Sequence, residues 1–333
     1  MITRKAVGDV MRIVFMGTAP FAIPCLQALA QENDIEVPLV VTQPDKAVGR
    51  GHKVRYTAFK QAALELEMPI YQPNSVKDEE SIEFIKKLKP DFLVVVAYGQ
   101  ILSQKVLDLP KLACINVHGS LLPKYRGAAP IHWAVIHGEK ETGVCTMHMA
   151  KTLDAGDIIY CDRTDIDPEE TTGELYDRLQ EMGANLLVKT LKDIEAGVAP
   201  RIPQDDRIST YAPMIFKKDR YIDWNQAGLC ILNKIRGLYP APRAITKYQA
   251  EDYIICEAKF HLEEPVGKLD STILEPGVIV GISPKHGLFV RCKDGWIEIL
   301  RLKAPGKKEM EAKAYLNGAK INLHSKFESE ETL

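Results

Sequence analysis

The sequence has no apolar run long enough to span a bilayer. It also has no amino-terminal stretch combining a basic head, an apolar core and a small-residue cleavage site. Its seven cysteines are odd in number and form no CxxC pair. That pattern predicts a reducing, cytoplasmic setting with mostly buried thiols, and neither disulfides nor structural zinc. Net charge is only −2, which excludes a uniformly basic nucleic-acid coat and leaves room for a local basic face. Several signatures are missing as well. Gly49-Arg50-Gly51 lacks the third glycine of a dinucleotide fingerprint, and no GxxxxGK[ST], GxSxG or HExxH occurs. His132 and His137 are five apart, off the helical ligand spacing, so nothing calls for a metal. There is no internal repeat and no low-complexity segment.

What remains is an ordinary globular composition, 46% hydrophobic and 26% charged over 333 residues, a length that suits two domains. The charge is uneven: from Phe216 onward Lys and Arg outnumber Asp and Glu by 19 to 16. Such an excess weakly favours an anionic partner.

Strands are predicted at residues 12–16, 37–41, 92–97, 114–118, 143–149 and 158–160. Helices are predicted after the 17–20 turn and at 58–66, 81–88 and 172–194. Alternation of this kind implies a mainly parallel, Rossmann-like α/β sheet with helices on both faces, and ligands beyond the carboxyl ends of the strands. Residues 198–213 are rich in Pro and Asp without period and read as a linker. Beyond them a helix (226–236) and short strands at 253–258, 278–282, 288–292 and 296–302 predict a smaller β-barrel or sandwich. The first ten residues precede Met11 and receive no role.

Chemistry concentrates in CINVHGSLLPKYRGAAP, residues 114–130. Asn116 and His118 stand two apart on a predicted strand and therefore share a face. The carboxamide is a fixed donor, and the imidazole can donate or accept a proton. Both also fit a structural role at a strand end. Ser120, Leu121, Leu122 and Pro123 leave the strand as a loop able to hold a flat ring. Asp154 and Asp157 flank Gly156 in a second loop, where acids are usually turn formers. One of them reaching a site would instead set the charge state of His118. A third segment, residues 42–60, carries Lys46, Arg50, Lys53, Arg55 and Lys60 with two glycines, suited to a mobile phosphate-contacting loop.

Together these residues resemble the folate-dependent formyltransferases. The run INVHGSLLPKYRGAAP is similar to that family's signature, and its Ala-Ala-Pro ending resembles the branch acting on methionyl-tRNA. VFMGTAPFAIPCL, VTQPDKAVGRG, VVVAYGQIL and LDAGDIIY follow in the family's order. The resemblance implies Asn116, His118 and Asp154, rather than Asp157, as the catalytic residues. It implies a folate pocket formed by Ser120, Leu121, Leu122 and Pro123 together with Tyr98, Gly99, Gln100, Ile101 and Leu102. It further implies 10-formyltetrahydrofolate as formyl donor, no metal, and initiator methionyl-tRNA as acceptor. In this reading Arg50, Lys46, Lys53 and Arg55 contact the tRNA. The implied organisation is an extension (1–10), a formyltransferase catalytic domain (11–198), a linker (199–215), an OB-like β-barrel that binds tRNA (216–326) and an acidic tail (327–333). A monomer with no membrane contact is expected. The alternative is a sugar-nucleotide N-formyltransferase.

Overall fold

The computed structural model describes residues 10–48, 53–265, 269–283, 287–318 and 321–329. The chain falls into two compact units. One comprises residues up to Gly127 with Thr142–Thr164 and Tyr176–Tyr211; the other comprises Ala128–Glu141, Asp165–Leu175 and Ala212 onward.

In chain order the elements of the first half are β1 (Met11–Gly17), α1 (Ile23–Gln31), β2 (Ile35–Val41), β3 (Lys46–Val48), β4 (Lys53–Arg55) and α2 (Ala58–Glu65). There follow β5 (Ile70–Tyr71), α3 (Glu79–Lys87), β6 (Phe92–Val96), α4 (Gln104–Leu107), β7 (Ala113–His118) and α5 (Pro130–Ile136). β8 (Glu141–His148), β9 (Ile158–Asp165) and α6 (Thr172–Glu195) complete it. Seven strands form one sheet in the order β5-β2-β1-β6-β7-β8-β9. β1 pairs in parallel with β2 and β6, and β6 in parallel with β7, whereas β7 and β8 run antiparallel.

Alternation along β1 explains why both faces are covered. Val14 and Met16 join Ile82 and Ile85 of α3 and Val106 of α4 in one core cluster. Phe15, pointing the other way, stacks on Phe59 of α2 with ring centroids 5.8 Å apart. Burying each such side chain contributes about 2 kcal/mol. The strand order reverses between β1 and β6, and this is the crevice where open α/β sheets take ligands. Here Thr18 Oγ1 and Gln43 Nε2 both donate to the Tyr98 carbonyl, at 2.9 and 3.0 Å.

Two expectations are corrected. The 42–60 segment is not plain loop: β3 and β4 pair antiparallel, Lys46 opposite Arg55 and Val48 opposite Lys53. The seven cysteines are not all free thiols. Cys145 of β8 and Cys161 of β9 form a disulfide, with Cα atoms 4.1 Å apart. The two lie on neighbouring strands, so their pairing depends on sheet order, which their separation of 16 residues does not reveal. Cys25, Cys114, Cys256 and Cys292 are buried free thiols, and Cys230 is exposed.

The second unit holds α7 (Gly228–Gly237), β10 (Ala244–Tyr248), β11 (Glu251–His261), β12 (Ile279–Ser283), β13 (Gly287–Arg291), β14 (Trp296–Lys303), β15 (Met310–Glu311) and α8 (Ala312–Leu316). Its strands build a six-stranded antiparallel sheet, β10-β11-β14-β13-β12 with β15 on β14. Trp224 and Phe327 stack at its centre, 5.9 Å between centroids, and Trp224 Nε1 donates to Thr246 Oγ1. Phe327, which the sequence groups with an acidic tail, is thus a core residue. No helix among the described residues is long and apolar enough to cross a membrane.

Candidate active site

β7 is buried along its length, as expected of a strand with neighbours on both edges. Asn116 and His118 point to one face at its carboxyl end and are 9% and 6% exposed. The loop between β8 and β9 brings Asp154, 9% exposed, against them. Asn116 Nδ2 donates to Asp154 Oδ1 at 3.4 Å, and His118 Nδ1 lies 3.7 Å from Asp154 Oδ2. Asp154 Oδ2 also accepts the Gly127 amide at 2.8 Å. Asp157 is turned elsewhere and pairs with Arg201. The structure therefore brings together Asn116, His118 and Asp154, and leaves Asp157 out.

The imidazole is oriented from its other edge. His118 Nε2 bonds the Tyr125 carbonyl at 2.9 Å. A carbonyl can only accept, so Nε2 carries the hydrogen and a neutral ring has its lone pair on Nδ1, facing Asp154. The arrangement can take up a proton at Nδ1 beside a carboxylate, with a carboxamide donor next to it. Those are the parts needed for proton removal from a nucleophile and for holding an oxyanion.

The loop after β7 is closed by Ser120, whose Oγ donates to the Lys124 carbonyl at 2.7 Å. Leu122 packs with Cys145 and Met147, while Leu121 and Pro123 stay half-buried. In the stretch after β6, Tyr98 and Leu102 sit in the core, Gly99 is exposed and Ile101 is 70% exposed. Burial pushes the Tyr98 phenol up to about 12, and its hydroxyl has no hydrogen-bond partner among the described residues. Gln100 accepts from the Val76 amide at 3.2 Å. Gly99 adopts φ +83°, where a side chain would be strained and would run into Gln43.

Of the basic segment, Arg50 lies outside the described residues, Lys46 and Lys53 are placed by backbone only, and Arg55 is exposed. Its base is pinned by a cluster that sequence reasoning did not find. Buried Lys60 pairs with Asp45 and donates to Gln72 Oε1 at 2.7 Å, while Gln72 Nε2 donates to the Gln43 carbonyl at 2.8 Å. The Lys60 hydrogen bond holds the Asp45 carboxyl below its ordinary range.

Residues 11–191 match the family model described as formyl transferase, and residues 214–320 match the formyl transferase C-terminal domain. The chain belongs to the formyl transferase family. Curated relatives include a methionyl-tRNA formyltransferase of Moorella thermoacetica, 48% identical over 92% of this chain and 96% of that protein. Another, of Clostridium beijerinckii, is 46% identical over 93% of this chain and 98% of its own length. Among solved structures, an N-formyltransferase from Helicobacter canadensis, in complex with folinic acid and dTDP-3-aminofucose, superposes with a TM-score of 0.64. It is 16% identical, over 90% of this chain and all of that one. A sugar 3N-formyl transferase determined with dTDP and 5-N-formyl-THF gives 0.63 at 18% identity, over 90% of this chain and 100% of its own. At those identities the likeness is one of fold, and the formyl transferase architecture is common to both groups.

A further group of residues completes the site, and no motif or local period marks it. Tyr125 N donates to Thr210 Oγ1 at 2.8 Å, and Arg126 N donates to the Thr210 carbonyl at 2.8 Å. These contacts join the segment that carries Tyr125, and so the His118 ring, to residues that read as linker.

Proposed function

We propose that the protein transfers the formyl group of 10-formyltetrahydrofolate to the α-amino group of methionyl-initiator tRNA, giving N-formylmethionyl-tRNA. What carries the reading is the convergence of Asn116, His118 and Asp154 at the carboxyl end of β7. The acceptor is inferred from the tRNA enzymes, whose identity to this chain approaches one half over nearly the full length. The sugar enzymes among the structural neighbours are below one fifth.

In this mechanism the unprotonated amine attacks the formyl carbon and a tetrahedral oxyanion forms. Asn116 Nδ2 supplies a preorganised donor to it, a contribution of about 3–4 kcal/mol in comparable sites. His118 Nδ1 takes the proton lost by the attacking nitrogen and returns it to N10 of the departing tetrahydrofolate. The Tyr125 carbonyl holds the ring, and Asp154 faces the charge formed at Nδ1. No covalent enzyme intermediate is needed. The 120–123 loop and the exposed edge of the 98–102 stretch border the folate. Lys46, Arg50, Lys53 and Arg55, with the second unit, meet the tRNA phosphates, so acceptor binding weakens as salt rises.

The test is release of tetrahydrofolate from 10-formyltetrahydrofolate. It should require methionyl-tRNA and be absent with uncharged tRNA. Release driven equally well by uncharged tRNA, or with no acceptor at all, would contradict the proposal.

A further inference from the structure

Gln204 lies in the segment joining the two matched family regions, yet its side chain is woven into the candidate site. Nε2 donates to the Asp154 carbonyl at 2.8 Å and to the Gly156 carbonyl at 2.7 Å. Oε1 accepts from Arg126 Nε at 3.0 Å and from Arg126 Nη2 at 2.9 Å. Arg126 is 2% exposed and also pairs with Asp206 at 2.8 Å.

The chemistry of these partners allows only one orientation of the amide. A guanidinium has donors alone, and the two carbonyls have acceptors alone. Turning the amide over would set its oxygen against two carbonyl oxygens and its NH2 against a cation. Arg126 therefore fixes which end of Gln204 faces the 154–156 backbone.

That backbone needs fixing. Asp154 has φ +49°, in the left-handed region that residues other than glycine rarely enter. Gly156 packs so closely on the His148 carbonyl that no side chain fits there. Gln204 binds the carbonyls of both residues. The Asp154 side chain is simultaneously held by the Gly127 amide, one residue beyond Arg126. Arg126 and Gly127 thus grip the acid from two sides, the first through Gln204 and the second directly.

We propose that Gln204 is a positioning residue for formyl transfer. Oriented by Arg126, it clamps the Asp154–Gly156 backbone and so sets the Asp154 carboxylate against His118 and Asn116. The proposal rests on the reading of Asp154 as part of the reacting site. Gln204 touches no substrate in this account. A tether that served stability alone would have no reason to act on turnover separately from folding and binding.

Gln204→Glu separates the two halves of the side chain. It is nearly isosteric and keeps an acceptor for Arg126, but it cannot donate to the two carbonyls. Gln204→Met removes both interactions at similar length. Formyl transfer to methionyl-tRNA is measured for both under saturating substrates, with thermal unfolding alongside and Asp154→Asn in parallel. A misplacement of the carboxylate by a fraction of an ångström to an ångström predicts a kcat lower by about 10- to 100-fold for Gln204→Glu. Its KM for donor and acceptor should stay within about twofold, and its unfolding temperature should fall by no more than several degrees, leaving it folded under assay conditions, with Gln204→Met at least as slow. A well-folded Gln204→Glu protein with unchanged kcat, while Asp154→Asn is inactive, overturns the positioning role alone. An active Asp154→Asn protein overturns the underlying reading of the site. Parallel losses of kcat and of substrate affinity, or failure of both Gln204 variants to fold, would make Gln204 a stability residue and end the proposal.

Discussion

The Asp154 carboxylate and the Tyr125 carbonyl bracket the His118 ring, the first 3.7 Å from Nδ1 and the second 2.9 Å from Nε2. One edge of the imidazole is spoken for by a backbone acceptor, so the other is the edge free to exchange a proton. From this relationship follows the first expectation. In His118→Ala the formyl-transfer kcat should fall by two to four orders of magnitude, about the range for loss of a general acid–base group. Binding of the folate donor, followed by equilibrium titration, should change little. A matching loss of donor affinity would instead assign His118 to folate binding.

Gly156→Ala should show how tightly the Asp154 loop is packed. A Cβ at this position meets the carbonyl oxygen and carbon of His148, both backbone atoms that cannot swing away. The variant should lose about 1–3 kcal/mol in urea unfolding and should also lose turnover, because the displaced loop carries Asp154. Full activity with full stability would mean that the loop has more room than the structure shows.

Lys60→Met should act on the tRNA side of the reaction. Lys60 pins Asp45 and Gln72 at the point where the chain enters β3. Its removal leaves a half-buried carboxylate without its cation, at a cost of about 1–3 kcal/mol. The KM for methionyl-tRNA should rise severalfold and the KM for the donor should not. Equal effects on both would detach this cluster from the paired strands β3 and β4.

Acid should destabilise the fold through His132. Burial pushes its imidazole below the ordinary range, against an opposing hydrogen bond with the Ala241 carbonyl. A histidine whose folded pKa lies below its unfolded value binds fewer protons when folded. Its contribution is therefore fully present above the unfolded value and is lost as pH falls through that value toward the folded one. Urea midpoints between pH 7.5 and 5 should decline less in His132→Gln than in the parent. Identical declines would show that His132 does not carry the effect.

The parts of this protein that were legible in its sequence are those ruled by local period. β7 and β6 read as strands because continuous apolar runs are what a doubly covered strand demands, and α6 reads as a helix from its 3.6-residue repeat. β9 was foreseen only to residue 160, since its last residues are polar. It lies at the end of the strand order, where one side of a strand can face water. Asn116 and His118 were found because two residues two apart on a strand must share a face. Asp154 was not separable from Asp157 by turn chemistry, and only the family resemblance singled it out. The Cys145–Cys161 bond, the Lys60–Asp45–Gln72 cluster and the Gln204–Arg126 clamp were invisible for one reason. Each joins residues on different elements or loops, beyond the reach of any local period, and such pairing depends on how the strands and loops are laid side by side.

The most direct measurement is a competition for labelled formyl. Methionyl-initiator tRNA and a nucleotide-linked amino sugar are offered together with labelled 10-formyltetrahydrofolate, and the label in each product is counted. Label is expected on the methionyl-tRNA, with none on the sugar above a reaction lacking the protein. Label on the sugar, with none on the methionyl-tRNA, would contradict it while leaving the formyl transferase fold in place.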